Sequence, residues 1–180
     1  MNKLLLIIVF LVSSVLFAQE TKAVAGPILM NYGKVYQVEN ADLLLKKNIE
    51  YKVIFDIYSD NSNGKGINSL LNTVARYLNM HAQQGIFLKN MKVAVVLHGS
   101  ATKNVLNNEA YVDKFEIENP NLDLLQQLKK NNVELFVCGQ SFLASDFAIK
   151  ELSGDVKIAL SALTTLVEYQ QNGYHIINFN

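Results

Sequence analysis

Val133-Glu134-Leu135-Phe136-Val137-Cys138-Gly139-Gln140-Ser141 is the stretch that decides the fold of this chain. A short apolar run closes on a cysteine, then passes at once into a glycine and a helical pattern. That reads as strand, tight turn and helix start. The sulfur falls at the carboxyl end of the strand, the edge at which open α/β sheets bind ligands. A thiol beside a helix amino terminus is also favoured in its nucleophilic thiolate form. The plainer reading stands beside this one, because free cysteine is among the most buried residue types and often serves as a small hydrophobe.

The same alternation runs outward from this stretch. Upstream, Tyr51 to Tyr58 and Met91 to Leu97 are nearly continuous apolar runs of strand length, as expected of strands covered on both faces. Between them, Ile67, Leu70, Leu71, Val74, Ala75 and Leu78 repeat at helical spacing, and Gly85 marks the end of that helix. A short helix is expected over Asn104 to Tyr111. Asn119-Pro120-Asn121 signals another helix start, with either Asn as cap and Pro in the first turn. Downstream, Phe142, Phe147 and Ala148 fall in a helical stretch. Val156 to Leu160 is a fourth strand, Ser161 caps a helix ended by Gly173, and Tyr174 to Phe179 is a fifth strand. Strands that alternate with helices predict a three-layer α/β/α sandwich on a mostly parallel five-stranded sheet.

The amino terminus reads as a targeting segment. Met1-Asn2-Lys3 carries one positive charge, Leu4 to Phe17 is apolar apart from Ser13 and Ser14, and Ala18 precedes a polar turn. This is the pattern of a secretory signal peptide over residues 1–18. The stretch is shorter than the roughly 18 apolar residues of a spanning helix, and an uncleaved anchor is the alternative. No cysteine lies near the cut, which excludes a lipid-modified amino terminus. The expected location is periplasmic or secreted, with no membrane attachment after cleavage. Residues 19–50 form a lead-in with little periodicity that should pack across the domain, and 51–180 form a single domain.

Cleavage removes Lys3 and leaves 15 basic against 16 acidic residues. A chain so balanced has no electrostatic footprint for nucleic acid or for an anionic membrane. Its single cysteine cannot form an internal disulfide, so Cys138 is a buried inert group, a bridge to another molecule, or a free reactive thiol. A structural zinc site would need several Cys or His ligands at close spacing, and His81, His98 and His175 show none. Neither a metal nor a cofactor is expected.

A parallel sheet would gather three loops at its carboxyl edge: Ser59 to Gly66, His98 to Thr102, and Cys138 to Ser141. If the two strands are neighbours, His98 and Cys138 can form a thiolate–imidazole pair. The alternative for His98 is a turn residue bonded to local backbone. Asn63-Gly64-Lys65-Gly66 matches neither the dinucleotide fingerprint nor the P-loop and reads as a turn. Asp56 and Asp60 are the acidic residues nearest this edge. There is no Gly-x-Ser-x-Gly elbow, which argues against a serine hydrolase.

The Val133–Ser141 phrase resembles the cysteine-bearing strand end of the DsrE/DsrF-like sulfur-relay family. Tyr51-Lys52-Val53-Ile54-Phe55-Asp56, Arg76-Tyr77-Leu78-Asn79-Met80-His81 and Val93-Ala94-Val95-Val96-Leu97-His98-Gly99 are similar to its secreted branch. The likeness runs roughly from Gly26 to Phe179, carried by the order and spacing of the segments. It implies a small α/β fold, assembly into trimers or hexamers, and sulfur carried as a persulfide on Cys138, with sulfur donor and acceptor proteins or small thiols as partners. With no second cysteine, transfer must go to another molecule. Three functions follow as expectations: a sulfur carrier or sulfurtransferase using Cys138, assisted by His98; a noncatalytic ligand-binding or assembly module in which Cys138 packs; and a redox sensor that oxidises at Cys138.

Overall fold

The computed structural model describes residues 22–179, so the expected signal peptide lies outside the described residues. The chain alternates β1 (Tyr51–Ile57), α1 (Ser69–Gln83), β2 (Met91–Leu97), α2 (Asn108–Phe115), α3 (Leu122–Lys130), β3 (Glu134–Cys138), α4 (Gly139–Ala144), β4 (Lys157–Ala159), α5 (Ala162–Gln171) and β5 (His175–Ile177). The five strands form one sheet in the order β4-β3-β2-β1-β5. Every pairing in it is parallel. Among the described residues no helix is long and apolar enough to cross a membrane.

Strand order explains how the layers divide. From β1 to β4 the chain steps in one direction across the sheet, then jumps back over it to place β5 beyond β1. Parallel crossovers are right-handed, so reversing direction moves the connecting helix to the opposite face. Val53, Phe55 and Ile57 of β1 accordingly join a large core with Leu71, Val74 and Leu78 of α1, Leu124, Leu125 and Leu128 of α3, and Phe142 of α4. The intervening Ile54, with Ala94, Val96 and Cys138, faces Ala162, Leu166 and Tyr169 of α5. One face thus packs against several helices and the other against α5.

Local signals set most helix ends. Asn68 caps α1 through Oδ1, which accepts from the Leu70 and Leu71 amides, and Ser161 caps α5 by accepting from Thr164. Three expectations need correction. The helix placed over Asn104 to Tyr111 divides into a 3-10 turn over Gly99–Val105 and α2, because Asn107 accepts from the Ala110 amide and restarts the helix there. The stretch through Phe147 and Ala148 stops at Ala144. Asp146 turns left-handed (φ 58°), and Phe147 folds back against Phe142 with ring centroids 5.3 Å apart. Asn121 occupies the cap position of α3 without capping it, so Pro120 precedes the helix. The Asn121 side chain accepts instead from the Asn68 amide.

The lead-in is an ordered arm. Val24 and Val35 form an antiparallel bridge, and the loop between them docks on α1. Buried Asn79 accepts from the Ile28 and Leu29 amides and donates to the Leu29, Tyr32 and Gly33 carbonyls. A methyl group at Gly33 would collide with the Arg76 amide nitrogen, so only glycine allows this approach. Tyr32 donates to Asp123 of α3 at 2.7 Å.

Candidate functional site

Cys138 sits where the layers part. β3 leads into α4 on one face, and its neighbour β4 leads into α5 on the other. Adjacent strands whose connections leave on opposite faces open a crevice at their carboxyl ends, the topological switch point of an open α/β sheet. Cys138 pairs with Ala159 across that crevice, so the first turns of two helices converge on the sulfur.

The sulfur is a hydrogen-bond acceptor here. Sγ lies 3.4 Å from the Ser141 amide nitrogen, which donates to it. Burial pushes the thiol pKa up, but donation from the Ser141 side chain and amide, then from the Ala162 and Gln140 amides, outweighs it. The net effect holds the thiol below the usual range. Such a nest of amides stabilises negative charge on sulfur. Only 4 % of Cys138 is exposed, so the approach to it is narrow.

His98 and Asp56 share the face of Cys138. Alternation along β1, β2 and β3 puts Asp56 with Ile54, His98 with Ala94 and Val96, and Cys138 with Phe136. Leu97 pairs with Val137, and His98 and Cys138 each follow one residue later on neighbouring strands. The condition for a thiolate–imidazole pair, adjacency of the two strands, is met. No hydrogen bond joins the two side chains in this structure, however. His98 Nε2 lies 2.7 Å from Asp56 Oδ1, while the sulfur takes its bond from the first turn of α4. The His98 ring also packs near Tyr58, with centroids 5.4 Å apart.

The third loop of this edge is structural. Asp60, its side chain fully buried, accepts from the Ser62 amide and hydroxyl, the Gly64 amide and the Asn104 side-chain amide, and pairs with Lys103 at 3.3 Å. Asn68 donates to Asn104, and Asn119 donates to the Asn104 and Leu106 carbonyls. Asn63-Gly64-Lys65-Gly66 is therefore a turn wound around a carboxylate. Sequence alone puts Asp60 near this edge and assigns it no role. Its spacing to Ser62 and Gly64 is the signal that would have found the turn, because Asp commonly accepts from amides just ahead of it.

Among the described residues no cluster of three or more His, Cys, Asp and Glu side chains is placed to hold a metal ion. A cavity of about 800 Å³ lies between the arm and α1, lined by Tyr32, Tyr36, Ile67, Asn72 and Met80 among others. Asp56, His98 and Cys138 do not line it. The chemistry-bearing residues lie at the carboxyl edge of the sheet, so we place the candidate site there.

No curated protein matches the sequence. Among solved structures, MTH1491 of Methanobacterium thermoautotrophicum, a protein of unknown function, superimposes with a TM-score of 0.56 at 18% identity. The match covers 72% of this chain and 100% of that one. The ychN protein of E. coli gives a TM-score of 0.52 at 18% identity, covering 72% of this chain and 99% of that one. At this identity the likeness is one of fold: a five-stranded parallel sheet flanked by helices. The model of the DsrE/DsrF-like family matches residues 52–179, from the first strand to the last, and the chain belongs to that family.

Proposed function

We propose that this protein is an exported sulfur carrier, sulfurtransferase-like in its chemistry, with Cys138 as the persulfide-forming thiol. The Cys138 thiolate attacks the terminal sulfur of a donor R–S–SH. The S–S bond breaks with its electron pair going to the donor thiolate, and Cys138 then carries the sulfur as Sγ–SH. No external oxidant or reductant enters. The observation that carries this reading is the Ser141 amide donating at 3.4 Å to a cysteine sulfur at the carboxyl edge of the sheet, a contact that favours its nucleophilic form. Membership of a family associated with sulfur relay supports it.

Export rests on the signal-like pattern of residues 1–18 and places the protein in the periplasm or outside the cell. Donors and acceptors are small thiols or proteins bearing persulfides. The carrier works as a homo-oligomer, a trimer or hexamer. Leu160 and Leu163, 72% and 79% exposed beside the Cys138 crevice, supply apolar surface for such contacts. Light scattering on the mature chain tests the assembly.

A second reading rests on the 4% exposure of Cys138: a noncatalytic ligand-binding or assembly module in which the cysteine only packs. Intact mass before and after a polysulfide donor separates the two. The carrier gains one sulfur, about 32 Da, which reductant removes, and Cys138→Ser gains none. A folded wild-type chain that gains nothing leaves the module as the function.

A further inference from the structure

We infer that Asp56 is a positioning residue for His98, holding its imidazole as the Nε2–H tautomer so that Nδ1 takes the proton of the thiol that discharges Cys138. The inference rests on the sulfur-carrier reading and adds to it the acceptor half of the cycle.

Three observations carry it. The middle of the sheet face beneath α5 is apolar, built of Ile54, Ala94, Val96, Phe136 and Ile176, with Lys52, Lys92 and Glu134 at the amino ends of the strands. Asp56 and His98 are the polar pair at the carboxyl end of that face, and they bond each other at 2.7 Å with side chains only 15% and 23% exposed. The His98 backbone is fixed as well, since its amide donates to the Ile57 carbonyl at 2.9 Å and extends the β1–β2 ladder by one residue. Finally, Nδ1 has no hydrogen-bond partner among the described residues, yet no buried side-chain nitrogen or oxygen lacks one, so Nδ1 is open to solvent.

A carboxylate that accepts from one ring nitrogen fixes the proton there and leaves the other nitrogen as the acceptor. His98 follows the residue paired with Val137, and Cys138 follows Val137 itself. Neighbouring strands lie roughly 4.8 Å apart, so His98 and Cys138 stand side by side at the carboxyl edge of the sheet, and we place the entering thiol between them. In the transfer, the acceptor R′S–H gives its proton to Nδ1, and R′S⁻ attacks the terminal sulfur of Cys138 Sγ–SH. The Sγ–S bond breaks with its electron pair going to Sγ, which restores the thiolate held by the Ser141, Gln140 and Ala162 amides. The product leaves as R′S–SH, and the imidazolium returns its proton to water.

The test uses the full mature chain, loaded with sulfur by polysulfide and discharged in a single turnover followed by intact mass. Wild type, Asp56→Ala, His98→Gln and the double variant are compared with two acceptors: N-acetylcysteine, protonated at neutral pH, and 4-nitrothiophenol, already ionised there. All four chains should load alike. Discharge to N-acetylcysteine should slow about 100-fold in both single variants, and the double variant should be no slower than His98→Gln. Discharge to 4-nitrothiophenol should stay near wild type, because no proton has to be removed. Nitrogen-15 NMR should show His98 as the Nε2–H tautomer in wild type and not in Asp56→Ala. If Asp56→Ala discharges N-acetylcysteine at the wild-type rate, or slows both acceptors equally, the positioning role is overturned. If wild type never loads, the sulfur-carrier reading itself fails and the role falls with it.

Discussion

The Ser141 amide nitrogen lies 3.4 Å from Cys138 Sγ, three residues behind it in the chain, so the first turn of α4 folds back onto the sulfur that begins it. Burial raises the Cys138 pKa, and donation by Ser141, Ala162 and Gln140 more than reverses the rise. The thiolate is the alkylating form, so a lowered pKa moves the onset of reactivity to lower pH. The rate of iodoacetamide labelling should inflect below the roughly 8.5 of an ordinary cysteine. Ser141→Ala removes the hydroxyl donor and keeps the amide, and should move the inflection upward. An inflection at or above the ordinary value in wild type would contradict the amide nest.

Asn79 ties the arm to α1 by filling both sides of its amide with arm backbone. Asn79→Ala leaves buried amides and carbonyls of residues 28–33 without partners. Unsatisfied groups of this kind cost about 1–3 kcal/mol each, partly relieved by water, and the expected loss is about 3 kcal/mol. The arm should detach before the sheet unfolds. Hydrogen exchange at the Leu29 amide and tryptic cleavage after Lys34 should both accelerate, while the amides of β2 keep their protection. Equal loosening of arm and sheet would show that the arm has no local stability of its own.

Asp60 gives the fold an acid-sensitive anchor. Burial raises its pKa, but bonds from Ser62 and Asn104 and the charge of Lys103 lower it further than burial raises it. A carboxylate whose folded pKa is depressed contributes stability that is complete above its unfolded value, about 3.9. That contribution is lost as pH falls through the lower folded value. Asp60→Asn should lose about 3 kcal/mol at pH 7, because it leaves Lys103 and the loop amides poorly matched. Its stability should then fall less steeply than wild type below pH 4. Urea denaturation across that range gives both numbers, and parallel curves would remove Asp60 as the anchor.

The sequence disclosed the sheet better than the site. Met91–Leu97 is a strand end to end because its apolar run is continuous and bounded, and Ser161 caps α5 because a hydroxyl before a helical pattern has few better uses. The Asp56–His98 bond spans 42 positions and depends on β1 lying beside β2, which no local pattern states. The nest around Cys138 required knowing that β4 borders β3 and that α5 departs on the opposite face. The buried asparagines Asn68, Asn79, Asn104, Asn119 and Asn121 look like loop or surface residues in sequence. Their role appears only when the backbone groups that they satisfy are in place, because a polar side chain is buried for the partners it finds and not for its own hydropathy.

Gly99 and Gly154 should respond to alanine with opposite signs. Gly99 directly follows His98, has a φ of +54°, and a methyl group there would stand 2.7 Å from the Tyr58 ring and the Tyr58 carbonyl oxygen. An L-residue pays roughly 1–2 kcal/mol for the left-handed backbone alone. The contact would also push aside the ring that flanks His98. Gly99→Ala should therefore destabilise by about 2 kcal/mol or more and shift the His98 ring resonances. Gly154 is absent from the positive-φ glycines, and a methyl group on it would meet nothing within 4 Å. Gly154→Ala should stabilise by about 0.5 kcal/mol by restricting the unfolded chain. Thermal melts of the two variants decide the matter: a neutral Gly99→Ala would mean that the turn after β2 relaxes freely, and that the His98 ring is not held from that side.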